Sequence, residues 1–97
     1  MQEKQGYIYI LTNHNNTTLY IGVTTNLIKR IWEHKNEVVE GFSKKYKLHK
    51  LVYYETSDSI ETAINREKYL KGKTRQFKIN LIEKTNKDWN DLYGDII

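Results

Sequence analysis

Ninety-seven residues, 38% hydrophobic and 12% aromatic, suffice for one small folded domain and are too few for two, so a single domain over residues 1–97 is expected. With no cysteine the chain has no disulfide framework, thiolate nucleophile or Cys-type zinc site, and no apolar run approaches the length that spans a bilayer. The first residues lack a signal-peptide core, which together with the absent cysteine points to a cytoplasmic protein with no membrane partner.

Sixteen Lys and Arg against twelve Asp and Glu give a net charge of +4, unevenly spread. Gly41 to Tyr54 holds Lys44, Lys45, Lys47 and Lys50 without an acid, and Arg66 to Lys78 holds six cations against Glu67 alone. Such segregation suits a face that meets phosphates, although a solvated basic surface has the same composition.

Tyr7 to Gly22 reads as a β-hairpin: two runs of β-branched and aromatic residues flank a polar Asn-His-Asn-Asn-Thr centre, with a loop of four or five residues. Side chains alternate along a strand, so Tyr7, Tyr9 and Leu11 share a face, and Tyr9 and Tyr20 can converge across the pair. Gly22 follows, where a missing Cβ lets the backbone bend or lets a ligand approach closely.

Thr24 or Thr25 is placed to cap a helix carrying Leu27, Ile28, Ile31 and Trp32 on one face and ending near Lys35. Arg30 and His34 lie one turn apart beside that stripe, and Lys29 points away from it. Taken singly, Arg30 reads more readily as a snorkelling surface residue and His34 as a rim histidine bonded to backbone.

Residues 36–50 read as a short helical turn and a basic loop. Leu51 to Glu55 is a compact β-rich run, expected as a central strand because both of its faces are largely apolar. Thr56 to Ser59 is a dense capping signal, with Asp58 and Glu61 spaced as a capping box, and a helix follows to about Lys71. Its stripe is Ile60, Ala63, Ile64 and Leu70, and the helical wheel puts Glu67 inside it. A carboxylate there is costly unless it is paired, hydrogen-bonded, protonated or metal-bound, and a salt bridge to Arg30 or a bond from a tyrosine hydroxyl would satisfy it. Phe77 to Ile82 suggests a third helix or an extended packing segment, and Trp89, Leu92 and Tyr93 a docked helical turn.

The Tyr-Ile-Tyr run, the Leu-Tyr-Ile-Gly run, the Arg30 helix and the Ala-Ile-Asn-Arg-Glu-Lys-Tyr-Leu-Lys helix together resemble the GIY-YIG nuclease superfamily over about residues 6 to 83. The likeness is to its small standalone members, and more distantly to the incision domain of the bacterial excision-repair nuclease and certain homing endonucleases. It implies an α+β fold, a three-stranded antiparallel sheet flanked by helices in the order β-β-α-β-α-α, with a C-terminal helical tail. It implies a metal-dependent endonuclease hydrolysing DNA phosphodiester bonds in repair or recombination, RNA not excluded, as a monomer or homodimer. The alternative is a nucleic-acid-binding module on the same scaffold with little or no catalysis.

Carried over by position, Tyr9, Tyr20, Arg30, His34 and Glu67 are the catalytic set, with Glu67 holding one Mg²⁺ or Mn²⁺. Tyr9, Tyr20 or His34 would move the proton. Gly22, Lys29, Lys44, Lys45, Lys71, Lys73 and Arg75 are the candidate nucleic-acid contacts. The first motif departs from the family pattern in having its glycine at Gly6, ahead of Tyr7-Ile8-Tyr9, and the family asparagine beyond the glutamate falls at no certain position, Lys78 or Asn80.

Overall fold

In the computed structural model, which describes residues 5–97, the elements run β1 (Gly6–Thr12), β2 (Leu19–Thr24), α1 (Leu27–Lys35), α2 (Phe42–Lys45), β3 (Lys50–Ser57), α3 (Ile60–Lys71), α4 (Arg75–Thr85) and α5 (Tyr93–Ile96). The three strands form an antiparallel sheet ordered β2-β1-β3. This is the α+β architecture the resemblance implies, with α2 the short helical turn expected within residues 36–50 and α5 in the expected C-terminal helical tail.

The middle strand is β1, not β3 as its apolar run suggests. Ile8, Tyr9, Ile10 and Leu11 are all fully buried, so β1 loses both faces to the interior. β3 begins buried at Leu51 and Val52, but Tyr54 and Thr56 are exposed, as on an edge strand. The register with β1 slips between Ile10 and Leu11, which face Tyr53 and Leu51, so Val52 is the extra residue of a bulge. Val52 and Tyr53 consequently reach the same core.

That core, on one face of the sheet, joins Ile8, Ile10, Ile21 and Val52 to Ala63 and Leu70 of α3, Ile82 of α4 and Trp89. The other face joins Tyr9, Leu11 and Leu51 to Leu27 and Ile31 of α1 and to Leu48. Gly6 supports the first layer: a Cβ there would lie 2.5 Å from that of Ala63. No helix among the described residues is long and apolar enough to cross a membrane.

Local capping differs from expectation by one or two residues. Asn26, rather than Thr24 or Thr25, caps α1 by accepting from the Lys29 amide, while the Thr24 hydroxyl accepts from Asn26 N–H. Ser59, rather than Asp58, caps α3 through the Thr62 amide. The hairpin loop has six residues, Asn13 to Thr18, because the Asn13 carboxamide oxygen accepts from the Thr17 and Thr18 amides and closes it as a turn of its own. The buried face of α1 is Leu27, Ile31 and His34, leaving Ile28 and Trp32 about half exposed, and Ile64 of α3 is likewise outside its stripe.

Candidate active site

Tyr9 and Gly22 are register partners on β1 and β2, and Leu11 faces Tyr20. The four therefore share the α1 face of the sheet, as alternation requires. The Tyr9 ring lies across Gly22. A Cβ on Gly22 would come within 2.3 Å of Tyr9 Cζ and Oη, so the space the glycine leaves is filled by this tyrosine rather than left open for a ligand.

From α1, His34 reaches the Tyr9 hydroxyl, with Nε2 and Oη 2.9 Å apart. Its other ring nitrogen, Nδ1, is 2.8 Å from Ser43 Oγ on α2. All three groups are buried: Tyr9 has no exposed surface, His34 2% and Ser43 4%. Tyr20 completes the group at its solvent side, with ring centroids 6.3 Å from Tyr9 and 5.8 Å from His34.

Burial sets the protonation states. Loss of hydration pushes the Tyr9 hydroxyl well above the ordinary tyrosine range, Tyr20 adds to this and the Arg30 guanidinium opposes it. Burial, and then the Arg30 charge, lower His34 to about 4. At neutral pH the pair is therefore a phenol against an uncharged imidazole, which can make both of its bonds in either tautomer.

Arg30 sits one turn before His34. Its Nε lies 3.3 Å from Glu33 Oε1, and its side chain keeps 40% of its surface exposed, so most of its donors remain available. The structure thus brings Tyr9, Tyr20, Arg30 and His34 together. On α3, whose Ala63 and Leu70 pack in the core layer of Ile8 and Ile10, Glu67 makes no hydrogen bond or ion pair with any of these four. Its carboxylate is sheltered, with 14% of the side chain exposed, and pairs with Lys71 at 3.3 Å, rather than with Arg30 or a tyrosine. No group of three His, Asp or Glu side chains placed to hold a metal occurs among the described residues.

The basic candidates divide by environment. Lys29 is exposed beside Arg30 in a shallow cavity of about 170 Å³. Lys44 pairs with Glu40 at 3.0 Å, and Lys45 lies over the Tyr46 ring. Lys73 lies over Tyr69 and Phe77, and Arg75 donates to the Asn16 carbonyl in the hairpin loop. Arg66 is bound in a two-point pair with Glu55, which Tyr53 also hydrogen-bonds, and is committed to joining α3 to β3. Ser43 was not visible in the sequence. A single small polar residue in a segment without period carries no signal of its burial.

A model of the GIY-YIG catalytic domain matches residues 5–80. The chain belongs to the GIY-YIG family. Within it, the chain is 40% identical over 76 residues to a UPF0213 protein of Clostridium perfringens, covering 78% of this chain and 81% of that one. It is 37% identical over 93 residues to a UPF0213 protein of Streptococcus pyogenes, covering 91% and 96%. The solution NMR structure of a UPF0213 protein from Bacillus halodurans shares the fold, with a TM-score of 0.57 at 24% identity over 90% of this chain and 92% of that one. GIY-YIG membership places this protein in a nuclease superfamily, which implies a nucleic acid substrate.

Proposed function

We propose that this GIY-YIG protein is a metal-dependent endonuclease that hydrolyses DNA phosphodiester bonds, in the context of DNA repair or recombination. The observation that carries the reading is the buried contact between the Tyr9 hydroxyl and a neutral His34. A phenol held above its ordinary pKa is no base by itself, but it becomes one when its own proton has an acceptor at 2.9 Å.

Tyr9 Oη takes a proton from the attacking water as its own passes to His34 Nε2, a transfer that burial and Arg30 disfavour in the free protein and that the negative charge of a bound phosphate assists. Ser43 Oγ accepts from Nδ1–H and keeps Nε2 free as the acceptor. Tyr9 has no exposed surface, and the partly exposed Tyr20 beside it is the tyrosine of the pair that meets the water first. Arg30 keeps its contact to Glu33 through Nε and offers its terminal nitrogens to the phosphoryl oxygens, neutralising charge as it develops.

Glu67 fits a site of one carboxylate, of the kind Mg²⁺ or Mn²⁺ occupies with water and substrate phosphate as its other ligands. Its sheltered oxygens already attract a cation, the Lys71 ammonium. When bound, the ion supplies charge stabilisation at the leaving oxygen. Phosphate entering beside Lys71 gives that ammonium a second anion and loosens its hold on Glu67.

Purified protein incubated with DNA and Mg²⁺ or Mn²⁺ is expected to cut. Tyr9→Phe removes the proton path and lowers the rate by at least about 100-fold. Glu67→Ala abolishes metal-dependent cutting while leaving thermal stability within about 1 kcal/mol, since only an exposed lysine loses its partner. Cutting that survives both changes overturns the assignment. One observation favours a binding module instead: among the described residues Glu67 belongs to no group of three or more His, Asp or Glu side chains placed to hold a metal. That reading predicts salt-sensitive DNA binding indifferent to Glu67→Ala, with no cutting.

A further inference from the structure

Tyr20 is the inner end of a row of rings that leads from the site to solvent. It stacks on Phe42, with centroids 6.2 Å apart and an interplanar angle of 22°, and Phe42 lies against Tyr46 at 4.6 Å. The outer two are open to water, Phe42 by 47% and Tyr46 by 44%. The backbone explains how they are presented. Gly41, at a φ of 110° that other residues rarely adopt, leads into α2, where Ser43 turns inward to His34 and Phe42 turns outward.

A lone exposed aromatic residue is ordinary. Three in a row, each touching the next, at the mouth of a site and set among lysines, have the chemistry of a nucleotide-binding surface. The Lys45 ammonium lies 5.4 Å from the Tyr46 centroid and has no carboxylate partner among the described residues. Lys44 and Lys47 pair with Glu40 and Glu37 through largely exposed contacts, which are weak enough to exchange for phosphate. Ring faces suit bases and ammonium groups suit phosphates. A base inside a duplex has both faces covered by its neighbours, so only an unpaired one can use the rings.

We propose that Phe42 and Tyr46, continuing the ring of Tyr20, form a stacking platform for an unpaired nucleobase next to the bond that is cut, so that the substrate strand is single-stranded at that point, as at a junction, flap or open end. The proposal deepens the nuclease reading and rests on it for the bond cut, but the platform is tested by binding alone. Fluorescence anisotropy with dye-labelled oligothymidine, an abasic strand of the same length and a blunt duplex, all with chelator present, separates base stacking from phosphate attraction. Phe42→Ala and Tyr46→Ala are each expected to weaken oligothymidine binding by about 5- to 100-fold, while Phe42→Tyr and Tyr46→Phe retain it. Binding to the abasic strand and to duplex should change less than about two-fold in the same variants, because both rely on phosphate contacts.

Equal losses on all three ligands, or none on any, overturn the platform. So does a Phe42→Ala variant that alters self-association and leaves nucleic-acid binding untouched. If the binding results come out as expected and wild-type protein cuts no DNA, the platform stands and the nuclease reading falls. Cutting confined to continuous duplex overturns the substrate class and leaves the nuclease reading intact.

Discussion

His34 is held by Tyr9 on one ring nitrogen and Ser43 on the other, in a setting that disfavours its charged form. The folded state holds it at about 4, against about 6.5 in the unfolded chain, so between these values the unfolded state binds the extra proton. Its contribution to stability is full above the unfolded value and is lost as the pH falls, by about 2 kcal/mol between about pH 7 and about pH 5. Chemical denaturation across that interval measures it, and His34→Gln should flatten the profile. Glu55, held below the ordinary carboxylate range by Arg66 and Tyr53 against the cost of burial, adds its own loss only at lower pH. The proton relay also requires the tautomer with the proton on Nδ1. Nitrogen-15 NMR of the His34 ring reads this directly. Ser43→Ala should shift the tautomer toward Nε2–H and cost about 1–3 kcal/mol through an unpaired buried nitrogen; an Nε2-protonated ring in wild-type protein would rule out the proposed direction of proton flow.

At the scale of elements, one glycine of the hairpin seats the tyrosine that meets α1. Alternation of side chains made the shared face of Tyr9 and Tyr20 readable from the sequence, but not that Tyr9 would fill the position opposite itself. Gly22→Ala must move the Tyr9 ring, because the new methyl group would sit 2.3 Å from its hydroxyl. The expected cost is about 1–3 kcal/mol of stability together with loss of the Tyr9 to His34 bond. Urea denaturation and the His34 ring shifts check the two parts separately. The turn of α1 is a related case. Its periodicity offered Ile28 and Trp32 as core residues, yet His34 takes the buried position because it has two hydrogen-bond partners there.

At the scale of the molecule, the C-terminal segment protects the exposed edge of the sheet. The Leu92 amide donates to the Leu51 carbonyl at 2.7 Å, Asp91 accepts from the Leu51 amide and Asn86 donates to the Val52 carbonyl at 3.0 Å. These bonds satisfy the bulged region of β3 where the ladder to β1 is interrupted. Asp91 also pairs with Lys35, which ties the same segment to α1. Asn86→Ala leaves the buried Val52 carbonyl without this donor and is expected to cost about 2 kcal/mol, a fall in Tm of about 10 °C for a domain of this size. Calorimetry gives the value, and a change under about 2 °C would mean the tail contributes little to the sheet.

The sequence by itself determined the strands, α1, α3 and the family, since these depend on local periodicity, capping chemistry and motif order within short windows, whereas the mixed period of residues 77–82 left α4 open between a helix and an extended segment. It also singled out Glu67, whose place between Ala63 and Leu70 follows from helix geometry alone. Only the tertiary structure decided that β1 is the middle strand, that Ser43 completes the Tyr9 and His34 pair, and that Arg66 is committed to Glu55. Each of these depends on distances between segments remote in sequence, and on how much water packing removes from between them.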